Sequence, residues 1–317
     1  MKQKLISLAS RAYLKINRVP RLVVMTFHRV GGKQPITPAH IRHHMAFLAR
    51  HYEMIVPSQV ADGKPLARAA MVTIDDSHRD LYEHIFPVAQ SLNVPITICV
   101  PTDYFFRNRW LWFDQLYWML ERATAGAEAQ LDGQWMRVGD VQSVAKIKAL
   151  LKRKMPADRD RALESIAKQL RCVSPPAPAD GYEPVLPVEM QEMLASGLVE
   201  ICAHTVSHTI ATVLPDQELK RELAQGKDEL EKFTGRKVAS FCYPNGEAGD
   251  FDDRTTQAVQ AAGFGAALTS VEGINRMDGL DPYRISRIHA HPQTSTFEKE
   301  ASCLGELRRR FAGANNQ

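Results

Sequence analysis

Short apolar runs rich in Val, Ile and Ala alternate with helix-patterned segments along most of this 317-residue chain, with brief connections between them. That rhythm constrains the fold more than any other feature. An unbroken apolar run suits a strand buried on both faces, and parallel strands joined by helices bury both faces. The runs lie at 22–27, 54–56, 70–74, 95–100, 198–202, 238–243, 265–269 and 284–289. Helical spacing fills 38–51, 80–92, 219–233 and 253–262; Asp216 starts the third helix, Gly235 stops it and Gly263 stops the fourth. About seven β/α units imply a closed or nearly closed barrel, with chemistry at the C-terminal ends of its strands.

Residues 121–182 break the rhythm: they are rich in Ala, Lys and Arg, helical in pattern, and end in Ser174-Pro175-Pro176-Ala177-Pro178. They read as a helical insertion, about 106–190 with its flanks, on a barrel domain spanning 22–295. Residues 1–21 form a basic amphipathic segment and 296–317 a C-terminal tail. The first segment carries Lys2, Lys4, Arg11, Lys15, Arg18 and Arg21 with no acid. On a helix, Leu5, Leu8, Ala12 and Ile16 share one side and Lys4, Arg11, Lys15 and Arg18 another. Such a helix either packs its apolar stripe on the domain or lies as a peripheral contact on an anionic membrane.

The formal charge of +4 is too small to imply a nucleic-acid partner. No apolar run reaches the length of a membrane span, and the first 22 residues lack a secretory-signal pattern. Five widely spaced cysteines, odd in number and without a CxxC pair, suit a reducing compartment. The expectation is a cytoplasmic protein, with membrane association through residues 1–21 as an option.

Reactive residues stand just after several of the strands. His204 and His208, four apart, can share one face of a helical turn and reach one ion. Asp75-Asp76 closes an apolar strand, and adjacent carboxylates there point in different directions, so one can bind metal while the other faces substrate. Paired acids also cap helices, and a His pair at this spacing arises by chance. Taken together, a carboxylate and two histidines form a facial set that leaves metal positions open for water, with one acid to spare as a base. The turn Tyr243-Pro244-Asn245-Gly246 can expose N–H groups to a developing oxyanion, or serve only as a β-to-α turn. Period two places Arg287, His289 and His291 on one strand face. Trp110, Leu111, Trp112, Phe113, Tyr117 and Trp118 form either a sugar-stacking wall or a packed helix face.

The ordered motifs Thr73-Ile74-Asp75-Asp76, His204-Thr205-Val206-Ser207-His208 and Phe241-Cys242-Tyr243-Pro244-Asn245-Gly246 resemble the polysaccharide deacetylase (NodB-like) family. Phe27-His28-Arg29-Val30, Gly263-Phe264 and Asp281-Pro282 through Arg287-Ile288 agree with it as flanks. The resemblance spans about 22–290 without the insertion, and implies a distorted (β/α)7 barrel. It implies a hydrolase that removes N-acetyl groups from an N-acetylated sugar, oligosaccharide or lipid-linked glycan in cell-surface polysaccharide biosynthesis. By position, Asp75 is the base, and Asp76, His204 and His208 hold a divalent metal, zinc first, with Co, Ni or Mn as alternatives. Tyr243, Pro244 and Asn245 line the substrate site. Ser77 stands where the family usually has Gly, and Cys242 where some members carry an Arg paired with the base; Arg287 is the substitute for that Arg. The proton donor to the leaving amine is His289, with His291 as second choice. An amidohydrolase of a small amide or imide, and a non-catalytic glycan-binding relative, are the competing readings.

Overall fold

The computed structural model describes residues 2–17, 19–31, 34–64 and 66–304. Its strands in chain order begin with β1 (Arg21–Phe27), β2 (Glu53–Met54), β3 (Arg68–Ile74) and β4 (Ile96–Val100). The insertion holds β5 (Glu128–Leu131) and β6 (Gln134–Arg137), and β7 (Val199–Ala203), β8 (Ser240–Cys242), β9 (Ala266–Glu272), β10 (Asn275–Arg276) and β11 (Ile285–His289) follow. Parallel pairing runs β1-β3-β4-β7-β8-β9-β11 and returns to β1, so seven strands close a barrel. β2 adds an edge to β3, and β10 pairs antiparallel with β1.

The strands are buried on both faces, and their period of two sorts side chains between two cores. Val23, Met25 and Phe27 of β1 and Ala70, Val72 and Ile74 of β3 face the outer helices. Leu22, Val24, Ala69 and Met71 face inward, with Cys99, Cys202, Cys242, Leu268 and Ile285. The inward rows carry the chemistry to the barrel mouth. Asp75 continues the row of Ala69, Met71 and Thr73, and Arg287 continues that of Ile285.

The insertion leaves the barrel after β4 and builds a core of its own around Trp112, Leu116, Met119, Ile147, Leu151, Leu163 and Ile166. It is not wholly helical. β5 and β6 form an antiparallel hairpin whose turn, Asp132-Gly133, has positive φ at both positions (49° and 77°), the geometry that Asp-Gly favours. The expected tail from 296 begins instead as the helix Thr294–Ala301, which buries Phe297; residues 305–317 lie outside the described residues. No described helix is long and apolar enough to cross a membrane.

Candidate active site

The loop after β3 brings the two acids to the barrel mouth by a backbone that only a few residues tolerate. Asp76 (φ 71°) and Ser77 (φ 58°) both take the left-handed conformation. Glycine adopts it freely, and asparagine or aspartate more readily than other residues. Ser77 keeps the geometry without the glycine, at a cost of about 1 kcal/mol. Its carbonyl accepts the Val185 N–H at 2.9 Å and fixes the turn against the C-terminal flank of the insertion.

Turned into the barrel, Asp75 meets Arg287. Nη1 donates to Oδ1 at 2.8 Å and Nη2 to Oδ2 at 2.7 Å. The guanidinium is fully buried and its other donors reach Thr269 O, Thr26 Oγ1, Thr73 Oγ1 and Ser270 Oγ. Burial on its own would push the Asp75 carboxyl up; the Arg287 charge and hydrogen bonds outweigh it and hold the group well below the usual carboxylate range. Cys242 lies against the same carboxylate, Sγ 3.8 Å from Oδ1, where burial keeps the thiol protonated.

Asp76 turns the other way, towards His204 and His208. Their Nε2 atoms lie 3.6 and 3.1 Å from its Oδ1, and one donor from each of the three falls within 4.8 Å of the others. His204 Nδ1 is 2.7 Å from the Cys242 carbonyl, which places the N–H on Nδ1 and leaves Nε2 as a free electron pair. Asp76 Oδ1 is buried and has no hydrogen-bond partner. An N, N, O donor set around an orphaned buried carboxylate oxygen fits a divalent ion.

The histidine loop is strained, with Thr205 at φ 61° and His208 at φ 52°. Two buried charges hold it. From the helix Asp216–Thr234, Glu222 accepts the N–H groups of Val206 (2.8 Å) and Ser207 (2.9 Å). From the insertion helix Pro156–Gln169, Arg159 donates to the Ser207 carbonyl (3.3 Å) and Thr209 Oγ1 (3.1 Å), on either side of His208.

These groups open on a cavity of about 160 Å³ lined by His28, Asp75, Asp76, Trp112, Phe113, Lys148, His204, His208, Ile210 and Asn245. Through His28 and Phe113 it shares a wall with a groove of about 460 Å³, along Arg29, Tyr117, Glu121, Tyr182 and His289. The aromatic stretch divides by helix face: Trp112 and Phe113 reach the cavity and Tyr117 the groove, while Leu116 packs inside the insertion.

Not every expected residue reaches this site. Tyr243 is fully buried and turned away, its ring stacked on Phe251 and its N–H bonded to the Leu268 carbonyl at 3.0 Å. Pro244 has no N–H and does not line the cavity. Of the three turn residues, only Asn245 (φ 61°) does, its side chain held by Asp250 Oδ2 at 2.5 Å. His291 is likewise occupied elsewhere, its Nδ1 accepting the Gln293 N–H at 2.9 Å at the start of the last described helix. His289 stands at the groove, its ring 6.2 Å from that of His28 and nearly parallel to it. Partial burial, His28 and Arg287 push its pKa below the ordinary value.

Sequence reasoning gave no role to His28, whose Nε2 lies 3.6 Å from Asp75 Oδ2, nor to Lys148. The first had a signal, since it follows β1 directly, at the same strand end that singled out Asp75. The second had none, being one lysine among many in a helix.

A polysaccharide deacetylase family model matches residues 62–267, about two thirds of the chain. The chain belongs to the polysaccharide deacetylase family. Solved deacetylases share its fold at low sequence identity. The Streptococcus pyogenes deacetylase PplD, solved with acetate, is 15% identical with a TM-score of 0.59, covering 89% of this chain and 99% of that one. IcaB from Ammonifex degensii is 18% identical with a TM-score of 0.58, covering 88% and 97%. The de-N-acetylase of Aggregatibacter actinomycetemcomitans is 15% identical with a TM-score of 0.54, covering 87% and 99%. No curated protein sequence matches this deacetylase.

Proposed function

We propose that this deacetylase removes N-acetyl groups from a sugar, oligosaccharide or lipid-linked glycan in the making of a cell-surface polysaccharide, and that it needs a divalent metal, zinc first. The observation that carries the reading is the pair of acids after β3. Asp76 faces two imidazoles at ligand spacing, while Asp75, buried and locked to Arg287, stays ionised as a base.

Asp76, His204 and His208 would hold the ion, which when bound supplies Lewis-acid polarisation and activation of water. The chain's own residues do the rest. Asp75 takes a proton from the attacking water as the C–O bond forms. The Asn245 N–H, which has no backbone partner among the described residues, would donate to the oxyanion. The amine leaves as the C–N bond breaks, and it needs a proton to do so. His28 faces the cavity and His289 backs it, so this stacked pair carries the proton, with His28 the nearer donor. Acetate and a free sugar amine result.

The groove beside the cavity favours an extended glycan over a small amide or imide, which the 160 Å³ cavity alone would hold. We also propose a cytoplasmic setting, supported by five free cysteines, of which Cys99 and Cys242 bring their thiols within 4.8 Å without bonding. The test is acetate release across a panel of N-acetylated glycans, lipid-linked ones included. The expected result is release that a chelator abolishes, zinc restores and Asp76→Ala eliminates. Release at the wild-type rate by that variant would overturn the reading.

A further inference from the structure

We propose that the outward face of the first helix, Lys2–Ile16, is a docking surface for an anionic lipid bilayer. Its roll on the protein is fixed by the helix Thr294–Ala301, on which it packs. Ser10 and Leu14 are buried on the inner side, and Arg11 Nη2 donates to Glu298 Oε1 at 2.8 Å. That orientation turns the apolar stripe away from the domain. Leu5 is 60% exposed, Leu8 66% and Ile16 78%, and Ala12 is exposed between them. A helix that needed its stripe for folding would bury it; this one buries a serine and a single leucine instead.

The charges choose the occupant. Lys4 and Lys15 are exposed along one edge of the stripe and Lys2 along the other, and the helix contains no acid. A second copy of the chain seated on this face would set lysines against lysines, so self-association is disfavoured. Aliphatic side chains flanked by lysines match the boundary between acyl chains and negatively charged headgroups. The inference is independent of the substrate, since none of these residues lines the cavity or the groove.

The experiment is co-sedimentation of the full chain with vesicles of phosphatidylglycerol and phosphatidylcholine in equal parts, or of phosphatidylcholine alone. Binding to the anionic vesicles is expected to be about tenfold stronger and to weaken in high salt, since electrostatic attraction adds to apolar insertion. The variant L5S/L8S/I16S should lose it while keeping the wild-type circular dichroism and thermal midpoint, and K4E/K15E should reduce it. Three results would overturn the proposal: equal binding to both vesicle types, binding unchanged in the triple variant, or a dimer in sedimentation velocity that the triple variant dissolves.

Discussion

Arg287 grips Asp75 with both terminal nitrogens, one to each carboxylate oxygen at 2.8 and 2.7 Å, and the two residues come from strands that are 212 positions apart. Neither group is solvated, so the pair sets the protonation state of Asp75, the proposed base. The lowered pKa of Asp75 means a stabilisation that is present above the ordinary carboxylate pKa of about 3.9 and is lost only as pH falls through the lower folded value. In Arg287→Met burial is opposed only by His28 and His204, and the carboxyl rises. The acid limb of the kcat/KM profile is expected to move up by about one pH unit or more, with a loss of about 3–5 kcal/mol in urea unfolding. Arg287→Lys, which keeps the charge without the fork, should shift the limb less. An unmoved limb in Arg287→Met would mean that Asp75 is not the base.

In the proposed mechanism His28 and His289 divide the proton-donor role unequally. His28→Gln is expected to lower kcat by about 100-fold or more, the scale of general acid catalysis, with KM little changed. His289→Gln should cost far less and act by way of the His28 ring that it faces. A glycan with a better leaving amine would narrow the gap between wild type and His28→Gln. The reverse order of effects would make His289 the donor.

Ser77 pays a conformational penalty that glycine would not. Ser77→Gly is expected to leave the site geometry intact and to stabilise the fold by up to about 1 kcal/mol, less what the freer unfolded chain takes back. The check is the thermal midpoint, which should rise by about 2 °C. A lower midpoint would show that the serine hydroxyl makes a contact worth more than the strain.

Arg159 ties the insertion to the loop that carries His208. Removing it as Arg159→Met should loosen that strained loop and weaken divalent-metal affinity, zinc being the ion to test, by about tenfold, as residues supporting metal ligands do. Competition with a chromogenic chelator reads this without any turnover. Unchanged affinity would show that Glu222 holds the loop unaided.

Much of the fold was legible in the chain itself, because parallel strands buried on both faces leave short, nearly unbroken apolar runs between helix-patterned segments, with polar residues gathered just after them. Asp75, Asp76 and His204 follow strands in that way, Arg287 stands out by the period of two within its own strand, and the observed strands fall within a few residues of the expected ones. Tyr243 misled, because the turn motif locates a loop but not which side chains it sends inward; the β8–β9 pairing takes its N–H and the core takes its ring. The hairpin over 128–137 was hidden by its helical flanks, although Asp132-Gly133 marks the turn. The roll of the first helix had no local signal at all. Which face packs depends on Glu298, far along the chain, and not on the helix's own stripe.

The cavity draws its reacting groups from the barrel and its lid from elsewhere. Asp75, Asp76, His204 and Asn245 stand on strand ends, whereas Trp112, Phe113 and Lys148 arrive on the insertion with a separate core behind them. Two separately packed cores therefore meet at one opening, tied together by Arg159 of the insertion and the loop of His208. A change at Lys148, which lines the opening on the insertion side, can therefore reshape the entrance while Arg159 keeps the loop of His208 in place beneath it.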